Sequence, residues 1–185
     1  MELFTNAQHL ATNPAEERVV LVNEQDEAIG IEDKTRAHVL GTLHRAFSVF
    51  ILNPAGQLLA QKRAVTKYHS RGLWSNTCCG HPRPHEAIDK ASRRRLREEM
   101  GFESNLREVF SFVYRAQLED GLIENEYDHV LVGSFEGVPK PDPLEVSEWK
   151  WVDLERLRMD IKEHPEKYTY WFRLTFDRFL QSSHF

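Results

Sequence analysis

Residues 80–102 read GHPRPHEAIDKASRRRLREEMGF, a stretch that predicts a loop followed by a helix. Pro84 suits the first turn of a helix, because a backbone N–H group is not needed for hydrogen bonding there. The helix is predicted to run to about Met100. Gly101 closes it, since glycine readily adopts the left-handed conformation found after a helix. This helix presents the charged residues on which the fold assignment depends.

The glycines and charged residues of this stretch follow a fixed spacing. Five residues separate Gly80 from Glu86, and seven more precede Arg94. Glu98 and Glu99 then stand near the end of the predicted helix. A loop that leads into a helix with acidic residues on one side can bind Mg²⁺, which in turn binds a diphosphate. The alternative is a solvated face of salt bridges between residues four positions apart, but the complete spacing favours the ion-binding interpretation.

The overall composition is that of an ordinary globular protein. Of the 185 residues, 41% are hydrophobic and 29% are charged, which is typical of a chain with one core. A chain of this length is predicted to form a single domain. The net charge is −5 and the sequence pI is about 6.0, so we expect no nucleic-acid partner. An anionic ligand therefore has to be bound by locally clustered arginines and lysines.

The N-terminal sequence and the cysteine content indicate the compartment. Residues 1–20 lack a basic start followed by an apolar run, so they do not resemble a secretory signal. No stretch approaches the roughly 20 apolar residues that are needed to cross a bilayer. Cys78 and Cys79 are adjacent and cannot link distant segments, which favours a reducing compartment. We therefore expect a cytoplasmic protein without a membrane partner.

Hydrophobic runs separated by turns predict a mixed α/β organisation. Residues 45–53 (RAFSVFILN) are apolar on both alternating faces, as expected of a strand in the middle of a sheet. Residues 53–56 (NPAG) form a turn into the next strand, and residues 153–181 form one or two helices. The remaining predicted elements are strands at 18–23, 57–64, 109–117, 125–135 and 148–153, a polar turn at 23–30, a basic loop at 66–73 and a loop at 137–143. The sequence predicts one α/β domain.

The sequence ENE places two carboxylates on one face of a strand. Glu124 and Glu126 are two residues apart, so their side chains point in the same direction. With His38, His44 and His81 they make a set of three nitrogen and two carboxylate ligands. Such a set suits a six-coordinate ion, Mn²⁺ or Mg²⁺, with Zn²⁺ also possible. The alternative is a pair of exposed glutamates on an edge strand. The other histidines are interpreted as surface residues: His9, His69, His85, His129, His164 and His184.

Several motifs in a fixed order resemble those of one enzyme family. These motifs are NTCCGHP (76–82), the stretch 80–102, VYRA (113–116), ENE (124–126) and YTYWF (168–172). Residues 80–102 resemble the Nudix box, except that Arg95 stands where that superfamily usually has its first clustered glutamate. Together the motifs are similar to those of type I isopentenyl-diphosphate isomerases, which belong to the Nudix superfamily. They extend from about Lys34 to Trp171, which is most of the chain.

The resemblance implies a fold and an activity. The expected fold is a single-domain α/β/α Nudix sandwich with a mixed sheet. Its core is expected at about 42–176 and is preceded by a short N-terminal extension; residues 1–17 match no motif. The implied activity is the interconversion of isopentenyl and dimethylallyl diphosphate in isoprenoid biosynthesis. In this reaction a double bond moves by protonation and deprotonation through a tertiary carbocation.

The resemblance also implies the catalytic residues. Moving a double bond requires a proton donor and a proton acceptor on either side of a five-carbon chain, and Cys79 and Glu126 match these two groups. Tyr114 is expected to hydrogen-bond the Glu126 carboxyl group and help to pass the proton. Trp171 is expected to lay its ring against the cation, an interaction worth about 2 kcal/mol when desolvated; a core tryptophan is the alternative. Cys78 is expected to pack as a small apolar residue.

A second set of residues is implied at the diphosphate end of the substrate. Glu99 resembles the carboxylate that holds a Mg²⁺ ion bridging to the diphosphate. Among the ligands of the histidine site, His38 has the least fixed position, because the stretch from His38 to His44 varies in length and has no rigid anchor. The basic residues that match the phosphate-binding positions of the family are Lys34, Arg63, Lys67 and Arg95.

Two other functions remain as alternatives. Glu98 and Glu99 favour a Nudix hydrolase that cleaves a nucleoside diphosphate, but Arg95 replaces a carboxylate of the cluster on which hydrolysis depends. A guanidinium instead supplies a phosphate contact, so the diphosphate would be bound without being cleaved. The other alternative is a Nudix domain that binds a ligand without catalysis, and such a domain does not need Cys79 and Glu126 together.

Overall fold

The structure, a computed structural model, describes residues 18–182. Within this range nine strands form one sheet, accompanied by four helices. The strands β1 to β9 are Arg18–Val22, Ala28–Asp33, His44–Leu52, Leu58–Arg63, Trp74–Ser75, Cys78–Gly80, Arg107–Gln117, Ile123–Ser134 and Val146–Val152. The helices α1 to α4 are Lys34–Leu40, Ile88–Met100, Leu154–Glu163 and Tyr170–Gln181. In the described range no helix has both the length and the apolar character that a bilayer span requires. Residues 1–17 of the predicted N-terminal extension lie outside the described residues, whereas its remainder forms β1, β2 and α1.

Strand β3 lies in the middle of the sheet, as its apolar character on both faces predicts. Strand β8 pairs with it in parallel and places Glu126 opposite His44. Strand β6 pairs with β3 in the antiparallel direction and places Cys79 opposite Ser48. Beyond β8 the sheet continues with β7, while β4 carries β5 and β9. The mixed sheet therefore brings residues of β3, β6 and β8 side by side.

Hydrophobic clusters on both faces of the sheet confirm the predicted sandwich. Alternate residues of β3 point to opposite faces. Phe50 packs with Phe172 and Phe179 of α4 on one face, and Phe47 packs with Leu96 of α2 on the other. Burying a side chain of this size contributes roughly 1.5–3 kcal/mol, so these two clusters account for much of the stability.

Helix α2 begins later than predicted and ends where predicted. Its first residue is Ile88 rather than Pro84, because His85 adopts a left-handed conformation with φ of 66° that a helix cannot contain. Glu86 also uses its carboxylate to accept a hydrogen bond from a backbone N–H in this loop, at 2.8 Å. Gly101 has a left-handed φ of 76° and caps the helix, as its type predicts.

The first helix and the second strand were not predicted from the sequence. The expected polar turn over 23–30 is too long, because β2 already begins at Ala28. Asp33 then caps α1 by accepting a hydrogen bond of 2.9 Å from a backbone N–H of the first turn. Gly41 ends the helix in a left-handed conformation with φ of 64°. Since α1 is capped at both ends, His38 has the rigid anchor that it was expected to lack.

Candidate active site

The two glutamates of the ENE motif are buried beside a tyrosine. Glu124 and Glu126 are 3% and 7% exposed, and β8 lies between β3 and β7. The alternative of exposed glutamates on an edge strand is therefore wrong. The Tyr114 hydroxyl oxygen lies 2.6 Å from Glu126 Oε2 and 3.2 Å from Glu124 Oε2. Tyr114 thus donates to Glu126, as expected, and also stands within reach of Glu124.

Three histidines from separate elements converge on Glu126. His38 comes from α1, His44 begins β3, and His81 follows directly after β6. Their Nε2 atoms lie 3.9, 3.6 and 3.0 Å respectively from Glu126 Oε1. One ligand atom from each of the four residues lies within 4.8 Å of the others. The structure therefore brings together four of the five residues that were predicted to bind the ion.

The hydrogen bonds of His38 and His44 leave one ring nitrogen of each free for an ion. His38 Nδ1 donates to the Lys34 carbonyl at 2.7 Å, and His44 Nδ1 donates to the Thr42 carbonyl at 2.8 Å. The Nε2 atoms of His38 and His44 are buried and have no hydrogen-bond partner in the described structure. A buried polar atom without a partner is costly, and neutral imidazole nitrogens are common metal ligands. The residues present therefore fit a divalent metal ion.

Glu124, the fifth predicted ligand, lies beside this group and next to a further histidine. Its carboxylate forms a second cluster with His38 and His69, whose ligand atoms lie within 4.8 Å of one another. His69 Nε2 lies 3.9 Å from Glu124 Oε1, and only 6% of His69 is exposed. The interpretation of His69 as a surface residue is wrong. A histidine in a loop has no periodicity that reveals burial, so no sequence pattern indicated that His69 is buried.

Burial and neighbouring groups shift the ionisation of this site. Burial lowers the pKa of His38 to about 4 and that of His81 to about 3, so both rings are neutral and able to bind a metal. Burial opposes the ionisation of Glu126, but the His44 and His81 rings beside it hold its pKa well below the usual range. Burial and the nearby charge of Glu126 raise the pKa of Glu124. The two glutamates therefore differ, and Glu126 is the ionised member of the pair.

The two adjacent cysteines have different environments. Cys79 lies on β6, beside β3, and packs partly buried against the hydrophobic cluster that contains Tyr114 and Trp171. Burial raises the pKa of Cys79 to about 12, although the Arg63 guanidinium opposes the shift. Cys79 is therefore a thiol that carries its proton at neutral pH. Cys78 is fully buried in the other cluster, which agrees with its expected role as a small apolar residue.

Trp171 lies in the first turn of α4 and faces the same site. Its indole N–H donates to Asn76 Oδ1 at 3.2 Å, and the Arg63 guanidinium lies 5.2 Å from the ring centroid. The His69 ring approaches it edge-on, at 5.8 Å between ring centroids. Trp171 is 3% exposed, so it belongs to the core and also borders the histidine site.

Two of the four predicted phosphate-binding residues, Arg95 and Lys67, are paired with acidic residues. Arg95 contacts Glu99 at 2.7 Å and Glu145 at 3.1 Å. Lys67 contacts the other oxygen of Glu145. Burial and the nearby charges of Lys67, Arg95 and Arg63 lower the pKa of Lys34 to about 8. The four cations therefore share one region with Glu145, whose negative charge opposes this shift.

Glu145 is a residue of this region that sequence reasoning missed. It precedes β9 and lies 78 positions after Lys67 in the sequence. The neighbouring Lys67 and Arg95 lower the pKa of Glu145 to about 2, against the opposing effect of burial. Glu99 accepts a hydrogen bond from Gln61 at 3.1 Å in addition to its contact with Arg95. Nothing in the local sequence around Glu145 indicates either partner.

Among the described residues, the remaining histidines belong to neither cluster. His85 is exposed and His164 is half-buried. His129 is buried between Glu108 and Asp26, at 2.9 and 3.1 Å, so its interpretation as a surface residue is also wrong. His9 and His184 lie outside the described residues.

The comparisons with known proteins first define the class. A family model described as the NUDIX domain matches residues 42–172. The crystal structure of a protein from Deinococcus radiodurans superposes on this chain with a TM-score of 0.67. The two sequences are 25% identical, and the match covers 80% of this chain and 90% of the other. The crystal structure of a MutT protein from Methanosarcina mazei superposes with a TM-score of 0.64. It is 20% identical in sequence, and the match covers 77% of this chain and 96% of the MutT chain. The sheet, the flanking helices and the matched domain define a Nudix protein.

Relatives of higher identity define the family within that class. Isopentenyl-diphosphate Delta-isomerase 1 of Aromatoleum aromaticum is 55% identical over 165 residues, or 89% of this chain and 93% of the relative. The isopentenyl-diphosphate Delta-isomerase of Burkholderia multivorans is 53% identical over 163 residues, or 88% of this chain and 93% of the relative. The chain belongs to the isopentenyl-diphosphate Delta-isomerase family of the Nudix superfamily.

Proposed function

We propose that this protein is an isomerase that interconverts isopentenyl diphosphate and dimethylallyl diphosphate. The observation that carries the proposal is the buried carboxylate of Glu126, which is bound by Tyr114 and surrounded by three histidines. The same buried region contains a protonated thiol, Cys79. A thiol and a carboxylate in one desolvated site supply the two proton-transfer groups that the reaction needs.

Cys79 and Glu126 are proposed to transfer protons at carbon. One of them delivers a proton to the double bond, and the other removes a proton from the neighbouring carbon; the roles exchange in the reverse direction. Tyr114 Oη holds the Glu126 carboxylate at 2.6 Å and fixes its orientation. The surrounding protein excludes water, which would otherwise quench a tertiary cation.

Trp171 is proposed to stabilise the cationic intermediate. An indole ring attracts a cation through its negatively charged face, and Trp171 already lies 5.2 Å from the guanidinium of Arg63. Its hydrogen bond to Asn76 fixes the ring plane. The ring therefore has the environment that such an interaction requires, while it also contributes to the core.

A divalent ion, Mn²⁺ or Mg²⁺ with Zn²⁺ possible, is proposed to bind at the histidine site. His38, His44, His81 and Glu126 would hold it, with Glu124 as a further ligand. When bound, the ion supplies positive charge that favours the ionised carboxylate and fixes its geometry. The side chains hold their ligand atoms in place through backbone hydrogen bonds, as metal-binding histidines usually do.

The diphosphate is proposed to bind at the cluster of basic residues. Arg95 and Lys67 would exchange part of their contacts with Glu145 for phosphate oxygens, to which guanidinium and ammonium groups bind strongly. Lys34 and Arg63 lie in the same region. A Mg²⁺ ion that accompanies the diphosphate would be held by Glu99.

The carboxylates of the Nudix stretch favour the isomerase over the alternative hydrolase. Glu98 contacts Arg94 at 3.3 Å and Arg95 at 2.8 Å, and Glu99 also contacts Arg95. Arg95 therefore places a guanidinium among these acidic groups, where hydrolysis depends on a further carboxylate so that several metal ions can bind; Glu99 remains for a single ion. The proposed partner is therefore a small allylic or homoallylic diphosphate that is bound but not cleaved. The adjacent free cysteines support the proposal of a cytoplasmic location.

Product analysis tests the function directly. The purified protein should be incubated with isopentenyl diphosphate and Mn²⁺ or Mg²⁺, and both carbon products and released phosphate should be measured. The proposal predicts dimethylallyl diphosphate at equilibrium with the substrate and no release of phosphate or pyrophosphate. Phosphate release without a change in the carbon skeleton would instead identify a hydrolase, and no turnover would favour a binding domain.

A further inference from the structure

His69 is a buried histidine that the proposed reaction leaves without a role. It belongs to the loop between β4 and β5, yet its ring points inward and is almost fully buried. The ring contacts Tyr68 edge-on at 4.3 Å, Trp171 at 5.8 Å and His38 at 6.1 Å between centroids. A histidine from a loop therefore fills the space between a proposed metal ligand and the proposed cation-binding tryptophan.

The His69 ring faces the carboxylate of Glu124. Its Nε2 atom lies 3.9 Å from Glu124 Oε1, which places the ring beside this oxygen but beyond hydrogen-bond distance. The other oxygen, Oε2, lies 3.2 Å from the Tyr114 hydroxyl. Tyr114 on β7 thus lies near one oxygen of Glu124, and His69 in the loop lies near the other.

The backbone on both sides of His69 is fixed by hydrogen bonds. The His69 carbonyl accepts a hydrogen bond from Arg63 Nη2 at 3.3 Å, and the Ser70 N–H donates to Glu119 Oε1 at 2.9 Å. Ser70 has a left-handed φ of 51°, a conformation that a serine adopts only when its surroundings impose it. Ser70 Oγ also lies 3.2 Å from His69 Nδ1. This contact leaves the Nε2 side of the ring directed at Glu124.

The arrangement of ligand atoms argues against a direct bond between His69 and the ion. The group of four residues around Glu126 and the group that contains His69 share His38 alone. One imidazole nitrogen binds one ion at a time, so two ions cannot both use His38 Nε2. The four-residue group together with Glu124 completes the proposed set of three histidines and two carboxylates for one ion, so His69 lies beside a ligand rather than within the set.

We propose that His69 is a positioning residue, which holds Glu124 in the orientation that allows this carboxylate to bind the ion. This inference rests on the proposed ion site. The removal of a residue that orients a metal ligand without binding the ion itself commonly lowers metal affinity 10–100-fold. His69 and Tyr114 together would fix both oxygens of Glu124, and His69 would also border the ring of Trp171.

The test compares two conservative variants of His69 by their affinity for Mn²⁺. In His69→Gln the side-chain amide nitrogen takes the position of Nε2, beside Glu124. In His69→Asn the side chain is shorter, and its amide nitrogen takes the position of Nδ1, away from Glu124. Isothermal titration with Mn²⁺ in the absence of substrate should show binding to His69→Asn weakened by about 10-fold or more. Binding to His69→Gln should stay within about threefold of the wild type. His85→Asn, which removes an exposed histidine, is the matched control and should bind like the wild type.

Electron spin-echo spectra of bound Mn²⁺ give a second measurement. The number of coupled imidazole nitrogens should be the same in the wild type and in His69→Gln; the loss of one would make His69 a direct ligand and overturn the positioning role. Equal Mn²⁺ affinity in His69→Asn and the wild type would also overturn it, as would equal weakening in both variants. A wild-type protein that binds no Mn²⁺ would instead refute the ion site itself. If His69→Asn does not fold, His69→Phe keeps a ring of similar size and carries the same expectation as His69→Asn.

Discussion

The Tyr114 hydroxyl donates a hydrogen bond of 2.6 Å to Glu126 Oε2, and the two residues lie directly opposite each other on β7 and β8. Cross-strand register fixes this pair, because the two Cβ atoms of opposed residues are about 5 Å apart. The carboxylate that is proposed to move a proton at carbon is thus oriented by the sheet itself. The same oxygen of Tyr114 also reaches Glu124.

Tyr114→Phe should slow turnover without a comparable effect on substrate binding. The change removes a hydrogen bond to an ionised group, which is worth about 1.5–3 kcal/mol. We therefore expect kcat to fall roughly 10- to 100-fold while KM changes by less than threefold. Steady-state kinetics with isopentenyl diphosphate measures both. Unchanged kcat in a folded variant would contradict the role of Tyr114.

Cys79→Ala and Cys78→Ala should have opposite consequences. Cys79→Ala removes a group that exchanges a proton with carbon, so turnover should be nearly abolished while substrate binding stays within a few-fold. Cys78→Ala should remain active and lose only about 1 kcal/mol of unfolding free energy, because a small buried side chain is shortened. Activity assays, ligand titration and denaturant unfolding provide these values. Similar losses of activity in both variants would contradict the assignment.

Removal of the divalent ion should abolish activity. A chelator followed by desalting should give an inactive protein, and Mn²⁺ or Mg²⁺ should restore it. His81→Ala should lower metal content together with rate, since His81 Nε2 lies 3.0 Å from Glu126 Oε1 and is proposed to bind the same ion. Elemental analysis measures the metal content. Full metal content in folded His81→Ala would show that the ion binds elsewhere.

Glu145→Gln should destabilise the protein at neutral pH and much less in acid. Lys67 and Arg95 lower the folded-state pKa of Glu145 from 4.5 to about 2. A depressed pKa stabilises the fold above the unfolded pKa, and this contribution is lost as the pH falls from about 4.5 towards 2. Denaturant unfolding of both proteins at pH 7, 4 and 3 should show a difference that narrows with acidity. A constant difference across these pH values would contradict the pairing.

The central parts of the fold could be predicted because local patterns determine them. The apolar faces of β3 and the glycine after α2 indicate their elements in any context. The spacing within residues 80–102 identifies the superfamily. The start of α2 could not be predicted, because the left-handed conformation of His85 depends on contacts within the loop. Helix α1 was missed since it is short and its caps resemble ordinary turn residues.

The candidate site could be predicted where motifs carry it and not where distant segments meet. Cys79, His81 and Glu126 lie in recognisable sequence patterns, and the structure brings them into one region. His69 and Glu145 have no such pattern. Their burial and their charged partners depend on how loops pack against the sheet. These interactions join positions that are far apart in the chain, so only the folded structure reveals them.

Solvent isotope incorporation tests the central claim most directly. The claim is that Cys79 and Glu126 move the double bond by adding one proton and removing another. Isopentenyl diphosphate should be incubated with the enzyme and metal ion in heavy water, and the product analysed by mass spectrometry and NMR. The account predicts dimethylallyl diphosphate with solvent deuterium in a methyl group, whereas Cys79→Ala should form almost no product. Unlabelled dimethylallyl diphosphate would reveal an internal hydrogen shift and contradict the account.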